Sequence, residues 1–494
     1  MRRSLGPAAL VAVALALAFS SLTPLIAWNE PSRAALTAAI VDHATFAIDA
    51  YQPRASAWST GDRARHGGHY YSDKIIGTSL LAIPGYAVAK VLGGWPVGGL
   101  PLGPAMVAMR VTAETIPGVV SGLLFCSLLV RLGASRRRAV LGTAFAVFGT
   151  IWFAYGTALY PYIPGIAATL AAAHLTLFPP ERWRPATVSL AVGALLGLAL
   201  LMDYAFAVVA AAVGLTRIVL ALRGSPGTGR GVVRAAGHAL AIGAGALPSL
   251  ALFASYCLAI FGQLAIPYKF LENTAFREGM AGGVLGVGAP RLGPLLFITV
   301  HPFRGLFFWS PVVVVGYAGC FLSLRDPDVR RRAAAWLGVL LLPAYLLLGA
   351  GYYMWWGGWA IGSRFLLPAL PFAMLGLAAV GRSREGRPGS WPWRLAQVTG
   401  WLSIVLNVPL AVIGVNLPPG VSDEVLSQAG VGTQLPPVTL DALRLFLSGR
   451  ANPWPFGPPE PAWTGPAGYA WVALVALLTA WLFWRAAREH APRS

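Results

Sequence analysis

The stretch that decides the fold is Asn29-Glu-Pro-Ser-Arg33 through His66-Gly-Gly-His-Tyr-Tyr-Ser-Asp-Lys74-Ile-Ile-Gly77, together with the apolar run from Leu5 to Ala27 that precedes it. The 494-residue chain is 56% hydrophobic and only 11% charged, yet this stretch holds Glu30, Asp42, Asp49, Asp62 and Asp73, five of its 18 acids. It also carries Arg33, Arg54, Arg63, Arg65, Lys74, His43, His66 and His69. A polar segment directly after a first hydrophobic run is either a loop passing through water or the working face of a membrane enzyme. The rest of the chain favours the second.

A mean hydropathy of +0.65 gives the chain far more apolar surface than a soluble domain of this length can bury in its core. Runs of about 20 apolar residues cross a hydrocarbon layer of roughly 30 Å as helix. The sequence supplies about twelve: 5 to 27, 105 to 130, 139 to 159, 162 to 178, 187 to 202, 204 to 222, 236 to 262, 304 to 323, 334 to 354, 365 to 381, 395 to 415 and 467 to 484. The prediction is an all-α polytopic membrane protein forming one integral membrane domain over 1–494. The basic start, Arg2 and Arg3, could open a secretory signal, but further spans follow and no clean cleavage site precedes Trp28, so the first run reads as an uncleaved helix.

The net charge of +19 does not indicate nucleic acid: only three of the 37 basic residues are Lys, and they form no continuous patch. It reads as topology. With the N-terminus inside, 23 of the 37 basic residues fall in short cytoplasmic loops, as the positive-inside rule asks, and both termini are cytoplasmic. The outer segments are then 28–104, 263–303 and the Pro-rich 416–466. Residues 75–92 are apolar enough to span, but counting them would invert every later loop. They read as a helix at the outer interface, with Lys90 reaching toward headgroups. Cys126, Cys257 and Cys320 sit in apolar stretches without a CxxC pair, which argues against a disulfide framework or a Cys-based metal site.

Several residues on the outer side could carry chemistry. Glu30 and Arg33 share a helix face, as an interfacial ion pair or as a general base oriented by a guanidinium. Asp62 to Lys74 packs acid, base, imidazole (His69) and tyrosine (Tyr71) around Gly67-Gly68, which allow a tight bend, and reads as a pocket rim. His301, in His301-Pro-Phe-Arg304, is an interfacial residue or a metal or phosphate ligand paired with Asp73. Arg364, within Trp355-Trp-Gly-Gly-Trp-Ala-Ile-Gly-Ser-Arg364, anchors its helix or holds a phosphate bidentately. Asp203, between two short spans, caps a helix or reaches into the same outer cavity.

At these residues the chain resembles the GT-C membrane glycosyltransferases, specifically the bacterial branch of protein O-mannosyltransferases and lipid A aminoarabinose transferases. Glu30 and Arg33 stand where that family has an acid and an Arg three residues on. Tyr71, Asp73 and Lys74 match a Tyr-acid-Lys element, with Ile75 and Ile76 replacing its prolines. His301 and Arg304 are similar to a His-x-x-Arg, and Gly362-Ser-Arg364-Phe-Leu-Leu-Pro to a Gly-x-Arg-Tyr-Leu-Leu-Pro element. The resemblance implies interfacial helices in the first outer loop and transfer of a sugar, with inversion, from a polyprenyl-phosphate donor to an extracytoplasmic glycan, lipid or protein at the bacterial inner membrane. Glu30 would be the catalytic base. Arg33, Asp62, His69, Tyr71, Lys74, Arg304 and Arg364 would bind substrate, and Asp73 and His301 a divalent metal. A transporter or flippase of lipid-linked glycans and a catalytically inactive envelope scaffold remain as alternatives.

Overall fold

The structure, a computed structural model, describes residues 6–21, 28–54, 56–222, 228–302, 304–358, 360–382, 391–413, 415 and 466–488. In chain order its helices are α1 Pro7–Ser20, α2 Asn29–His43, α3 Gly77–Leu92, α4 Leu102–Arg110, α5 Ile116–Arg131, α6 Arg136–Phe148, α7 Ile151–Gly156, α8 Tyr162–Leu177, α9 Pro185–Met202 and α10 Ala207–Leu222. There follow α11 Thr228–Phe261, α12 Thr274–Ala281, α13 Leu292–Thr299, α14 Leu306–Trp309, α15 Val312–Leu322, α16 Val329–Gly351, α17 Leu370–Met374, α18 Leu377–Val380, α19 Trp391–Ile413 and α20 Pro466–Arg488. A π turn at Val111–Thr115 joins α4 and α5 into one 30-residue span. One two-stranded sheet, β1 Arg63–His66 with β2 His69–Ser72, completes the described elements.

Among the described residues seven helices are long and apolar enough to cross a membrane, with five shorter apolar ones beside them. All twelve predicted spans contain helix, but three are broken. The run 139–159 splits between α6 and α7 at Gly149-Thr150, 304–323 splits between α14 and α15 at Ser310-Pro311, and 365–381 is divided between the short α17 and α18. The Thr150 side chain accepts from the Trp152 amide and so caps α7, and Pro311 lacks the amide that would continue α14. The Pro-rich stretch 416–466 lies almost wholly outside the described residues.

Residues 75–92 contribute α3, one of the shorter apolar helices, which packs against α2 and α4. Its far end leaves Val88, Val91 and Leu92 exposed. Lys90 does not reach outward as the sequence suggested. It pairs with Asp42 of α2, whose carboxylate also accepts from Tyr51 and Tyr86 hydroxyls at 2.7 Å each and from the Gly98 amide at 3.0 Å. A buried acid with four donors was a stronger partner than headgroups.

The hairpin turns on Gly67 (φ +59°) and Gly68 (φ +89°), the two left-handed positions of a two-residue turn, and sets His66 opposite His69. Helices α9 and α11 touch backbone to backbone. A Cβ on Gly193 would stand 2.0 Å from the Ile242 carbonyl oxygen, and one on Gly245 2.0 Å from that of Leu190. Small residues permit such approach where lipid offers helices no hydrophobic drive to associate.

The two ends of the bundle differ. At one, Arg138 donates to the carbonyls of Gly381 (3.3 Å) and Arg382 (3.1 Å), Arg382 pairs with Asp326, and Arg131 and Arg330 lie over the Phe178 ring. This end gathers the C-termini of α5 and α8 and the N-terminus of α16. Helix α16, about 35 Å long at 1.5 Å per residue, starts there and ends at Tyr352, while α8 starts at Tyr162. Tyr162 and Tyr352 both face a cavity at the opposite end.

Candidate active site

That cavity has a volume of about 660 Å³. Its polar wall comes from α2 (Asn29, Arg33), the residues flanking the hairpin on either side (Asp62 before it, Asp73 and Lys74 after it), the α9–α10 turn (Asp203, Tyr204) and the loop after α16 (Arg364). Its apolar wall includes Val208 of α10 and Leu348 of α16. Seven tyrosines line it: Tyr160, Tyr162, Tyr204, Tyr268, Tyr345, Tyr352 and Tyr353.

Lys74 is the centre of the charges on the α2 and hairpin side of the cavity. Its Nζ lies 2.8 Å from Asp62 Oδ2 and 2.8 Å from Asp73 Oδ2, with side-chain exposures of 7%, 16% and 3% for the three residues. Burial works against the ammonium, but the two carboxylates more than offset it and hold it above its ordinary value. The Ser32 hydroxyl donates to Asp73 Oδ1 at 3.1 Å and shares a 2.8 Å bond with Ser72, and the Asn29 amide donates to Asp62 Oδ2 at 3.3 Å. Lys74 is therefore a neutralised strut between two acids.

The arginines are different. Arg33 is buried and donates to Asn29, to its backbone carbonyl at 3.0 Å and to its side-chain oxygen, and no carboxylate lies within ion-pair distance among the described residues. Arg364 makes no hydrogen bond or ion pair to the described residues, and its Nε is buried without an acceptor. Both guanidiniums lie over the Tyr160 ring, each 5.7 Å from its centroid. A buried, planar donor group with no anion is a receptor for one.

Five of the predicted site residues thus meet at the cavity: Arg33, Asp62, Asp73, Lys74 and Arg364. The others are placed elsewhere. Glu30 is fully buried but does not line the cavity: its Oε1 accepts from the Leu159 amide at 3.3 Å, beside Glu114, which accepts from the Tyr160 amide at 3.1 Å. Residues Glu30 to Ala39 of α2 are all buried, and it is Asn29 and Arg33, not Glu30, that α2 presents to the cavity. Arg304 is buried and donates to the carbonyls of Gly358 (2.8 Å), Ala360 and Gly362 (3.2 Å). It shapes the loop that delivers Arg364 and does not line the cavity itself. His301 packs on Phe297, 4.5 Å between rings, also outside the lining. His69 is exposed, 3.2 Å from Asp49, and Tyr71 lies against Phe261.

A divalent metal does not fit Asp73 and His301. Both Asp73 oxygens are engaged by Lys74 and Ser32, His301 lies outside the cavity, and no group of three His, Cys, Asp or Glu among the described residues could hold an ion.

Sequence reasoning left Asp203 as either a helix cap or a cavity residue and missed the tyrosines. Their one signal is position: Tyr160-Pro-Tyr162, Asp203-Tyr204 and Tyr352-Tyr353 all stand at the ends of apolar runs, where aromatic belts of membrane proteins also stand.

The sequence matches no protein-family model and no curated protein. Solved structures that match it include two crystal structures of ArnT from Cupriavidus metallidurans. The one bound to undecaprenyl phosphate has a TM-score of 0.47 at 13% identity and covers 97% of this chain and 76% of that one; the one in the apo state has 0.45 at 14%, over 97% and 75%.

Proposed function

We propose that this chain is a GT-C membrane glycosyltransferase that moves a sugar from a polyprenyl-phosphate donor to an acceptor outside the cytoplasm. The observation that carries the reading is the pair Arg33 and Arg364, two guanidiniums without a carboxylate partner among the described residues, facing a cavity with an apolar wall on two membrane-spanning helices. A charged headgroup on a long apolar tail needs both features at once. The tyrosines offer faces for sugar rings and hydroxyls for sugar hydroxyls. As the bond between the anomeric carbon and the phosphate oxygen breaks, charge grows on the phosphate, where Arg33 and Arg364 stabilise it. The positive-inside rule, applied to the arginine-rich end of the bundle, favours the outer side of a bacterial inner membrane for the cavity, with both termini inside.

The test is binding and transfer by purified protein in nanodiscs. Arg364→Ala is expected to weaken undecaprenyl-phosphate binding about 10- to 100-fold, the worth of charge-assisted hydrogen bonds of roughly 1.5–3 kcal/mol. Arg364→Lys recovers only part, because an ammonium cannot bind two oxygens in a plane. Unchanged lipid-phosphate affinity in Arg364→Ala would remove the reading. Passage of lipid-linked sugar across the bilayer without bond breaking would favour a flippase.

A further inference from the structure

Three carboxylates line the cavity, and two are committed: Asp62 and Asp73 share Lys74 at 2.8 Å each. The third, Asp203, is held differently. Its Oδ1 accepts from the Ala205 amide at 2.8 Å, capping the short turn Tyr204–Phe206, and no Lys or Arg lies in ion-pair contact with it among the described residues. The turn is fixed from the other side as well, because the Tyr345 hydroxyl of α16 donates to the Ala205 carbonyl. The carboxylate is thus rigid, faces the cavity and keeps Oδ2 without a hydrogen-bond donor among the described residues. Arg33, Arg364 and Lys74 are close enough to act on its charge without contacting it.

We infer that Asp203 is the general base that takes the proton from the acceptor hydroxyl. The inference rests on the glycosyltransferase reading and names a catalytic residue within it. In the step, the acceptor oxygen attacks the anomeric carbon as its proton passes to Asp203 Oδ2. The bond from that carbon to the donor phosphate oxygen breaks, and the electron pair leaves on the phosphate beside Arg33 and Arg364. A base strengthens as its pKa rises. Burial pushes Asp203 up, and its Oδ2 is open to an acceptor hydroxyl, whereas Lys74 covers an oxygen of each of the other two acids.

The alternative role is a helix cap alone, and one substitution separates the two. Asn caps as well as Asp does, so Asp203→Asn keeps the bond to Ala205 and removes only the basicity. The experiment follows transfer of labelled sugar from a polyprenyl-phosphate donor in nanodiscs across pH, with undecaprenyl-phosphate affinity measured alongside. Asp203→Asn is expected to lower kcat about 10²- to 10⁴-fold, to lose the acidic limb of the pH profile, and to bind undecaprenyl phosphate like wild type; Asp203→Glu recovers part of kcat. Wild-type kcat in Asp203→Asn overturns the assignment and leaves the enzyme reading standing. So does an equal loss of kcat and lipid affinity, which marks a purely structural role. Absence of transfer by wild-type protein that still binds the lipid overturns both.

Discussion

Replacing Lys74 by Met tests whether this lysine is a strut or a ligand. The substitution keeps an unbranched side chain one atom shorter and removes the charge, leaving Asp62 and Asp73 facing each other with side-chain exposures of only 16% and 3%. Breaking a buried ion pair by removing one partner costs about 3–5 kcal/mol, a large part of the roughly 5–15 kcal/mol typical of whole proteins. The loss should show as an earlier unfolding midpoint in mixed micelles, read by the fluorescence of the chain's 18 tryptophans. Adding Asp62→Asn and Asp73→Asn should restore most of it, since neutral hydrogen-bonding groups then replace the charges. The pH dependence has a definite sign. Burial raises Asp73, so without the ammonium the folded state binds a proton more readily than the unfolded chain, and the deficit of Lys74→Met shrinks as pH falls. A variant that unfolds with wild type, or whose deficit grows on acidification, would refute the strut. A ligand lysine alone would lose lipid affinity and keep its midpoint.

Two more expected outcomes come from the packing. Burial raises Asp42, but the bonds from Lys90, Tyr51, Tyr86 and Gly98 outweigh it and hold the carboxyl below its ordinary value of 3.8. Its stabilisation is therefore complete above that pH and lost as pH falls through the depressed value, so acid titration of wild type should show a loss in that window that Asp42→Asn lacks. Gly193→Ala, which sets a Cβ 2.0 Å from a backbone oxygen of α11, should cost about 1–3 kcal/mol, while Gly237→Ala, with open space around it, should cost nothing or stabilise by roughly 0.5–1 kcal/mol; equal midpoints for the two would contradict the close approach of α9 and α11.

Which features were legible in the sequence depends on which forces act locally. Hydropathy is a sum over neighbours in the chain, so helix existence could be read, and the basic loops marked one end of the bundle because arginine placement obeys a rule of its own. Breaks inside runs, at Gly149-Thr150 and Ser310-Pro311, are written in caps and proline, but a sum over 20 residues smooths them away. The site was half legible. Arg33, Asp62, Asp73, Lys74 and Arg364 stand out as charges in an apolar chain. Yet nothing in the sequence tells a neutralised lysine from an unpaired arginine, because that depends on distant partners, as with Arg63 and Glu272, 209 positions apart. Glu30 and Arg304 misled for the same reason: charge announces importance, while direction is decided by burial. The tyrosines were hidden because a pocket wall and an interfacial belt use one residue type at one place in the helix.

The break between α7 and α8 at Thr157 to Pro161 leaves backbone amides inside a bundle, where water cannot reach them. Leu159 finds its acceptor on Glu30 of α2, and Tyr160 shares its amide between the Ala158 carbonyl at 2.8 Å and Glu114 of the π turn at 3.1 Å. An acid followed by Arg at the mouth of a first helix can thus be masonry for a neighbouring segment. Two such carboxylates let an unwound stretch of chain sit at depth, and the aromatic it carries becomes a shelf for cations.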